Sequence, residues 1–154
     1  MRLGVLTEPD GENRVAIVPN SIKKLNKKGL KVFVEKGAGI KSNYSDSDYV
    51  SAGAKICSRD EVLSSEIIMS IRMLESSELR EGMNLVCVAD PFRHPDKIKS
   101  CIESNVTLFS MDMIPRRLSL AQSMDVNSSQ DNLAGYKAVL LCASYVPRGI
   151  PMLT

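Results

Sequence analysis

Short apolar runs rich in β-branched residues alternate along this chain with stretches of helical spacing, and that alternation points to parallel βα units in an open α/β sheet. Leu3 to Leu6 reads as the first strand and Lys31 to Glu35 as the second, with Ile22, Leu25, Lys27 and Lys28 on a helix between them that Gly29 ends. Tyr49, Val50 and Ala52 to Ala54 predict a short helix ahead of Lys55-Ile56-Cys57, and Ser58-Arg59-Asp60-Glu61 has the form of a cap for the next helix. Glu66 to Arg72, Asn84 to Ala89 and Val106 to Ser110 read as the third, fourth and fifth strands, with a helix over Pro95 to Glu103. From Ser123 to about Tyr145 the residues Leu133, Ala134, Tyr136, Ala138, Val139, Leu140 and Leu141 predict a long helix that Pro147 stops. The closing Pro151-Met152-Leu153-Thr154 has no place in that pattern and would lead into a further segment.

Five strands in this arrangement imply a flavodoxin-like three-layer sandwich around a mostly parallel five-stranded sheet, ending in a long helix. With 154 residues and 44% hydrophobic content, the expectation is one domain over 1–154 with a core of ordinary size. The net charge is only +2 and the charges are scattered, so nucleic acid is not expected as a partner. No apolar stretch approaches the ~20 residues of a membrane helix, and Met1-Arg2-Leu3 runs straight into a strand, so the expected location is cytoplasmic. Cys57, Cys87, Cys101 and Cys142 form no CxxC pair and mostly sit in apolar runs, which predicts reduced, buried thiols and no metal site.

Glu35-Lys36-Gly37-Ala38-Gly39 follows a strand and begins like a dinucleotide fingerprint, but Ser42 stands where the third glycine belongs and a loop follows. A tight backbone turn is the better reading. His94, the single histidine, lies between Arg93 and Pro95 at a helix start, a poor place for a buried general base. Arg14 sits in a short loop after the first strand, at a sheet edge where ligands gather; it reads equally as a clamp for a carboxylate, phosphate or amide and as an exposed ion-paired arginine. Pro115-Arg116-Arg117 and Ala121-Gln122-Ser123-Met124-Asp125 bring arginine, amide, hydroxyl and carboxylate into one loop. The plainer reading of that loop is a helix start with Ser123 as cap, Asp125 at the positive end of the dipole and Arg117 solvated.

The string AQSMDVNSSQDNLAGYKAVL, Ala121 to Leu140, resembles the N-terminal domain of the NAD(P) transhydrogenase alpha subunit, in the alanine dehydrogenase/transhydrogenase superfamily. GENRVAIVP, ending at Pro19, and VEKGAG, Val34 to Gly39, match it in order and separation. The resemblance implies a flavodoxin-like domain packed against a Rossmann domain that holds NAD(H), with direct hydride transfer to NADP on a separate component and coupling to proton movement through a membrane component. It implies catalysis by positioning, with no side-chain acid. By position, the family's loop maps onto Arg117, Gln122 and Asp125, the expected catalytic set. Arg14, Gln122, Ser123, Asp125 and Ser128 are the expected cofactor-binding set. The stretch from Pro115 to Ala121 is one residue longer than usual, so Arg116 rivals Arg117, and Leu120 stands where the family commonly has a second arginine.

Alanine dehydrogenases share the domain. Their substrate arginine would map to Arg14, but their lysine falls near Arg72 and their catalytic histidine near Val88 or Ala89. The resemblance also implies that the chain stops before its nucleotide-binding domain. The expected partners are therefore that Rossmann domain, the NADP-binding and membrane components, and a second copy in a homodimer. Partner subunits would hold it at the inner membrane, and the isolated chain, with half a cofactor cleft and an uncovered apolar face, is expected to show no turnover. The other reading is a non-catalytic docking or dimerisation module built on the same fold.

Overall fold

The computed structural model describes residues 1–149; the closing Pro151 to Thr154 lies outside the described residues. The chain forms two compact units, Met1–Met113 and Ile114–Thr154.

The first unit alternates strands and helices: β1 (Arg2–Val5), α1 (Pro19–Lys27), β2 (Lys31–Glu35), α2 (Asp46–Ala52), β3 (Lys55–Cys57), α3 (Arg59–Leu63), β4 (Ile67–Met69), β5 (Asn84–Cys87), α4 (Pro95–Glu103) and β6 (Thr107–Ser110). The sheet is parallel throughout, in the order β3-β2-β1-β4-β5-β6. The expected five strands are thus six. Lys55-Ile56-Cys57, read only as the stretch after a helix, pairs with Phe33, Val34 and Glu35 as an edge strand. Removing that edge leaves the five-strand order of the flavodoxin type. The strand expected over Glu66 to Arg72 is confined to Ile67–Met69, because the chain then turns to place backbone N–H groups on a carboxylate described below.

Period-2 alternation splits the core into two layers. Leu3, Val5, Val32 and Val34 pack with Ile22 of α1 and Tyr49 of α2 on one face. Leu6, Ile68, Leu85 and Cys87 pack with Val62 of α3 and Cys101 of α4 on the other. Gly4 is where α3 touches the sheet: a Cβ there would lie 2.8 Å from both Cγ1 and the carbonyl oxygen of Val62. Tyr49 is fully buried and its hydroxyl donates to the Ile17 carbonyl at 2.8 Å. Along one cross-sheet row, Val34-Val5-Met69-Val86-Phe109, cover is uneven. The first two are fully buried, while Phe109 at the β6 edge is 53% exposed.

Local signals explain the element ends. Ser45 closes a capping box with Asp48 at α2, and Ser58 Oγ accepts from the Glu61 N–H at α3. Gly39 makes the tight turn expected for the glycine-rich stretch: a Cβ there would meet Tyr49 at 2.6 Å and Tyr44 at 2.9 Å, so the missing side chain lets the turn pack on the tyrosines. Cys57, Cys87 and Cys101 are buried free thiols, but Cys142 is exposed, against expectation, because it stands on a helix with no buried residue. Burial pushes the Cys87 thiol up to about 12, which makes it inert.

The second unit carries a short turn of 3-10 helix, Ala121–Met124, and then α5 (Val126–Tyr145). The cap of α5 is Asp125, whose carboxylate accepts from the Ser128 N–H; the expected cap, Ser123, instead donates its hydroxyl to the Leu120 carbonyl at 3.1 Å. No described helix is long and apolar enough to cross a membrane.

Candidate functional site

The sheet order reverses between β1 and β4, and the carboxyl ends of those strands bound a cleft of about 300 Å³ lined by Thr7, Glu8, Arg59, Ser70, Arg72 and Glu78 among others. Glu8, just past β1, is buried. Its carboxylate spans the reversal point and accepts from the N–H groups of Ile71 at 2.5 Å and Arg72 at 2.9 Å. Burial raises its pKa from the ordinary carboxylate value, against the pull of those two N–H groups, and the nearby Glu12 charge adds to the rise.

Glu12 is also buried. Arg14 grips it with both ends of the guanidinium, Nε to Oε1 and Nη2 to Oε2 at 2.7 Å each, and Arg72 Nε reaches Oε2 at 3.1 Å. The Arg14 hydrogen bond, first of all, holds the Glu12 carboxyl down at about 2. Of the two readings left open for Arg14, the ion pair is what the structure displays, with the guanidinium 43% exposed above its carboxylate. Neither Glu8 nor Glu12 was singled out from sequence. The available signal was their position directly after the first strand of a doubly wound sheet.

In the second unit, Asp125 is the hub of the loop. Its side chain is 11% exposed, Oδ1 accepts from the Ser128 N–H at 3.0 Å and Oδ2 from the Ser128 hydroxyl at 2.6 Å. These two bonds, with Arg116 as a weaker contributor, lower its pKa, so it stays ionised. Arg116 Nε stands 3.7 Å from Oδ2. Arg116, and not Arg117, therefore engages the loop carboxylate. Arg117 and Gln122 are exposed, and among the described residues neither side chain has a polar partner. The loop thus gathers Arg116, Asp125 and Ser128 into one network, directs Ser123 back to its own backbone, and leaves the Arg117 guanidinium and the Gln122 carboxamide exposed. Arg14 belongs to the other unit.

This is hydrogen-bonding chemistry. Gln122 can donate and accept at once, the geometry a primary carboxamide asks for, and Ser128 keeps acceptor capacity after spending its proton on Asp125. His94 is exposed at the N-cap position just before α4. Among the described residues no group of three His, Cys, Asp or Glu side chains is placed to hold a metal.

The first unit is a doubly wound parallel α/β sheet with charged groups at its reversal point, and the second is a capped loop leading into a long helix. Residues 4–134 match the family described as alanine dehydrogenase/PNT, N-terminal domain, and the chain belongs to that family. It is 37% identical over 146 residues to the NAD(P) transhydrogenase subunit alpha of Cereibacter sphaeroides, covering 91% of this chain and 28% of that subunit. It is 30% identical over 155 residues to an alanine dehydrogenase of Methanococcus maripaludis, covering 96% of this chain and 40% of that enzyme. A solved transhydrogenase from Sinorhizobium meliloti superposes with a TM-score of 0.92 at 36% identity, covering 99% of this chain and 47% of that one. The chain therefore spans less than half the length of each of these relatives.

Proposed function

We propose that the chain is the nicotinamide-facing part of the NAD(H)-binding component of a proton-translocating NAD(P) transhydrogenase. The observation that carries this reading is the pairing of two unpartnered groups, Gln122 and Arg117, with an ionised and internally satisfied Asp125 in one loop. A pure scaffold has no need of that set. NAD(H), when bound, supplies the hydride. Gln122 would hold the carboxamide by donating and accepting, Arg117 would donate to the cofactor, Asp125 and Ser128 would present acceptors, and Ser123 would fix the turn. Arg14, in the first unit, would clamp a carboxylate, phosphate or amide on the exposed side of its guanidinium. Donors and acceptors fit an amide-bearing ring, and no side chain of the loop needs to move a proton. The cofactor would be completed by a separate dinucleotide-binding domain, and the working assembly would include an NADP-binding component, a membrane component and a second copy of the chain, on the cytoplasmic side of the inner membrane.

Titrating NADH into the purified chain, with and without a transhydrogenase-type dinucleotide-binding domain, tests this by the shifts of the nicotinamide protons. Shifts that require the second domain and vanish in Gln122→Ala support the reading. Their absence in both mixtures sinks it and leaves the docking or dimerisation module, which the exposed apolar side chains of α5 favour. Amino-acid dehydrogenation is the weaker alternative, since Val88 and Ala89 offer no group that could transfer a proton to a keto acid.

A further inference from the structure

The near-neutral total charge conceals one lopsided element. Between Asn13 and Val34 there is no aspartate or glutamate, while Lys23, Lys24, Lys27, Lys28 and Lys31 follow one another on α1 and its exit. At 3.6 residues per turn the first four fall within an arc of about 140°. They stand opposite Ile22 and Leu25, which belong to the core cluster. All five lysines are exposed.

Elsewhere in the first unit Lys41 pairs with Asp10, Lys55 with Glu61, Lys97 with Glu75 and Lys99 with Glu103, and there only Lys36 lacks such a partner among the described residues. Among the described residues the four lysines of α1 and its cap have no carboxylate partner; nor has Lys31, which alternates with Val32 onto the other side of the sheet and is not part of this face. Asp48 of the adjoining α2 shares a groove with Lys23 but forms no ion pair with it, and Asp48 is already bonded to Ser45. Lys23 with Lys27 and Lys24 with Lys28 are like charges at i,i+4, an arrangement that weakens a helix. Only the positions nearest the carboxyl end gain from the dipole. A local rule broken this consistently, with no internal compensation, marks a surface kept for a partner.

We propose that this face of α1 docks on an anionic lipid surface. The residue types select that partner. Protein interfaces are depleted of lysine and anchored by aromatic residues and arginine, whereas the exposed face of α1 carries lysine with Asn20 and no arginine, and the one aromatic beside it, Tyr44, is packed on the core. Specific phosphate recognition favours the forked guanidinium, whereas lysines act as hydrated point charges on flexible stems, sufficient for a diffuse negative surface. The apolar side of α1 is committed to the core, so contact is electrostatic and nothing inserts. The inference stands apart from the proposed cofactor role.

The test is co-sedimentation of the full chain with vesicles of phosphatidylcholine alone and with about one third phosphatidylserine. Binding is expected only to the anionic vesicles and is expected to disappear as salt rises from about 0.05 M to about 0.5 M. Each Lys→Gln change should lower partitioning roughly fivefold. The quadruple variant of Lys23, Lys24, Lys27 and Lys28 should therefore lose on the order of several hundredfold. The matching Lys→Arg quadruple should bind as the parent does, and Lys99→Gln on α4 should change nothing, with circular dichroism confirming that each variant is folded. Equal binding to neutral vesicles, full binding by the glutamine quadruple, or no binding to either vesicle overturns the proposal. Salt-sensitive binding to polyglutamate without vesicle binding also overturns it and assigns the face to an acidic protein.

Discussion

Residues 1–113 and α5 contain similar kinds of apolar residue and use them in opposite ways. In the first unit Val5, Leu6, Ile22, Val34, Tyr49, Ile68 and Leu85 are fully buried, two layers deep around one sheet. In α5, Leu133, Tyr136, Val139, Leu140 and Leu141 are each about half exposed or more, and no residue of the helix is buried. The strands alternate with period 2, so their apolar residues meet helices supplied by the same stretch of chain. The helix distributes its apolar residues around its circumference, the pattern of an element meant for cover on several sides. Its order within the chain must come from local terms: the Asp125 cap, intrinsic propensity and the hydrogen-bond ladder. Packing stabilises the first unit; caps and propensity hold the second. Mutations should therefore have different sizes and different readouts in the two.

The largest effect is expected at Gly4. A valine there drives its Cβ and branches into Val62, against backbone as well as side chain, and the fully parallel β1 centre cannot retreat. Gly4→Val should lower the stability of the first unit by about 3 kcal/mol or more, read as a shift of the urea midpoint. An unchanged midpoint would mean that α3 and β1 are not as close as described.

Glu12→Gln comes next. It keeps the shape but removes the charge that two arginines share, and because both guanidinium groups are substantially exposed, water recovers much of the loss. A cost of about 1–2 kcal/mol at neutral pH is expected. The acid profile sharpens the point. The folded carboxyl titrates near 2 against an ordinary 4.5, so the unfolded chain takes up this proton first as pH falls. The contribution is whole above about 4.5 and is lost as pH drops toward 2, and Glu12→Gln should flatten that limb. Glu8 has the opposite sign: its raised pKa means the folded chain keeps a proton longer, so its ionisation costs stability as pH rises through the folded value. Equilibrium unfolding at a series of pH values separates the two, since Glu12→Gln should erase one limb and Glu8→Gln the other.

How much of this was legible in sequence also divides along the same line. The parallel α/β arrangement, the helix over Pro95–Glu103 and the cap at Ser58 followed from periodicity and local chemistry. β3 was missed because a three-residue edge strand, Lys-Ile-Cys, holds a single β-branched residue and no alternation to count. The charged cluster was missed for a different reason: Arg14 lies two residues from Glu12, but Glu12 is brought to Arg72 across sixty positions of chain and Glu8 to Ile71 across sixty-three, so no local window shows the cluster as a whole. The loop from Arg116 to Ser128 was legible as a set because its contacts are local. Even there the sequence could not say which hydroxyl or carboxylate caps α5. Asp125 wins over Ser123 because the 3-10 turn at Ala121–Met124 delays the first α-helical residue to Val126.

That cap offers the third prediction. Asp125→Ala should cost α5 about 1 kcal/mol and appear as lost helical ellipticity and faster amide exchange in its first turn, while the urea midpoint of the first unit stays put. Asp125→Ser should restore most of the helix. A loss of ellipticity spread over the whole chain would show that the two units do not respond separately.

The smallest effect is a gain, at Gly135. It lies inside α5, and a Cβ built there meets nothing within 4 Å, so alanine replaces the most flexible backbone position of the helix without a clash. Gly135→Ala should therefore stabilise α5 by up to about 1 kcal/mol, with a matching rise in ellipticity. Set beside Gly4, the same kind of residue is indispensable in one region and a weakness in the other, and the sign of the change depends on whether packing or propensity governs. If Gly135→Ala instead lowers stability, something approaches the helix closely at that glycine. The gap would then mark a contact surface, and the docking reading of α5 would gain weight over helix stability set by local terms alone.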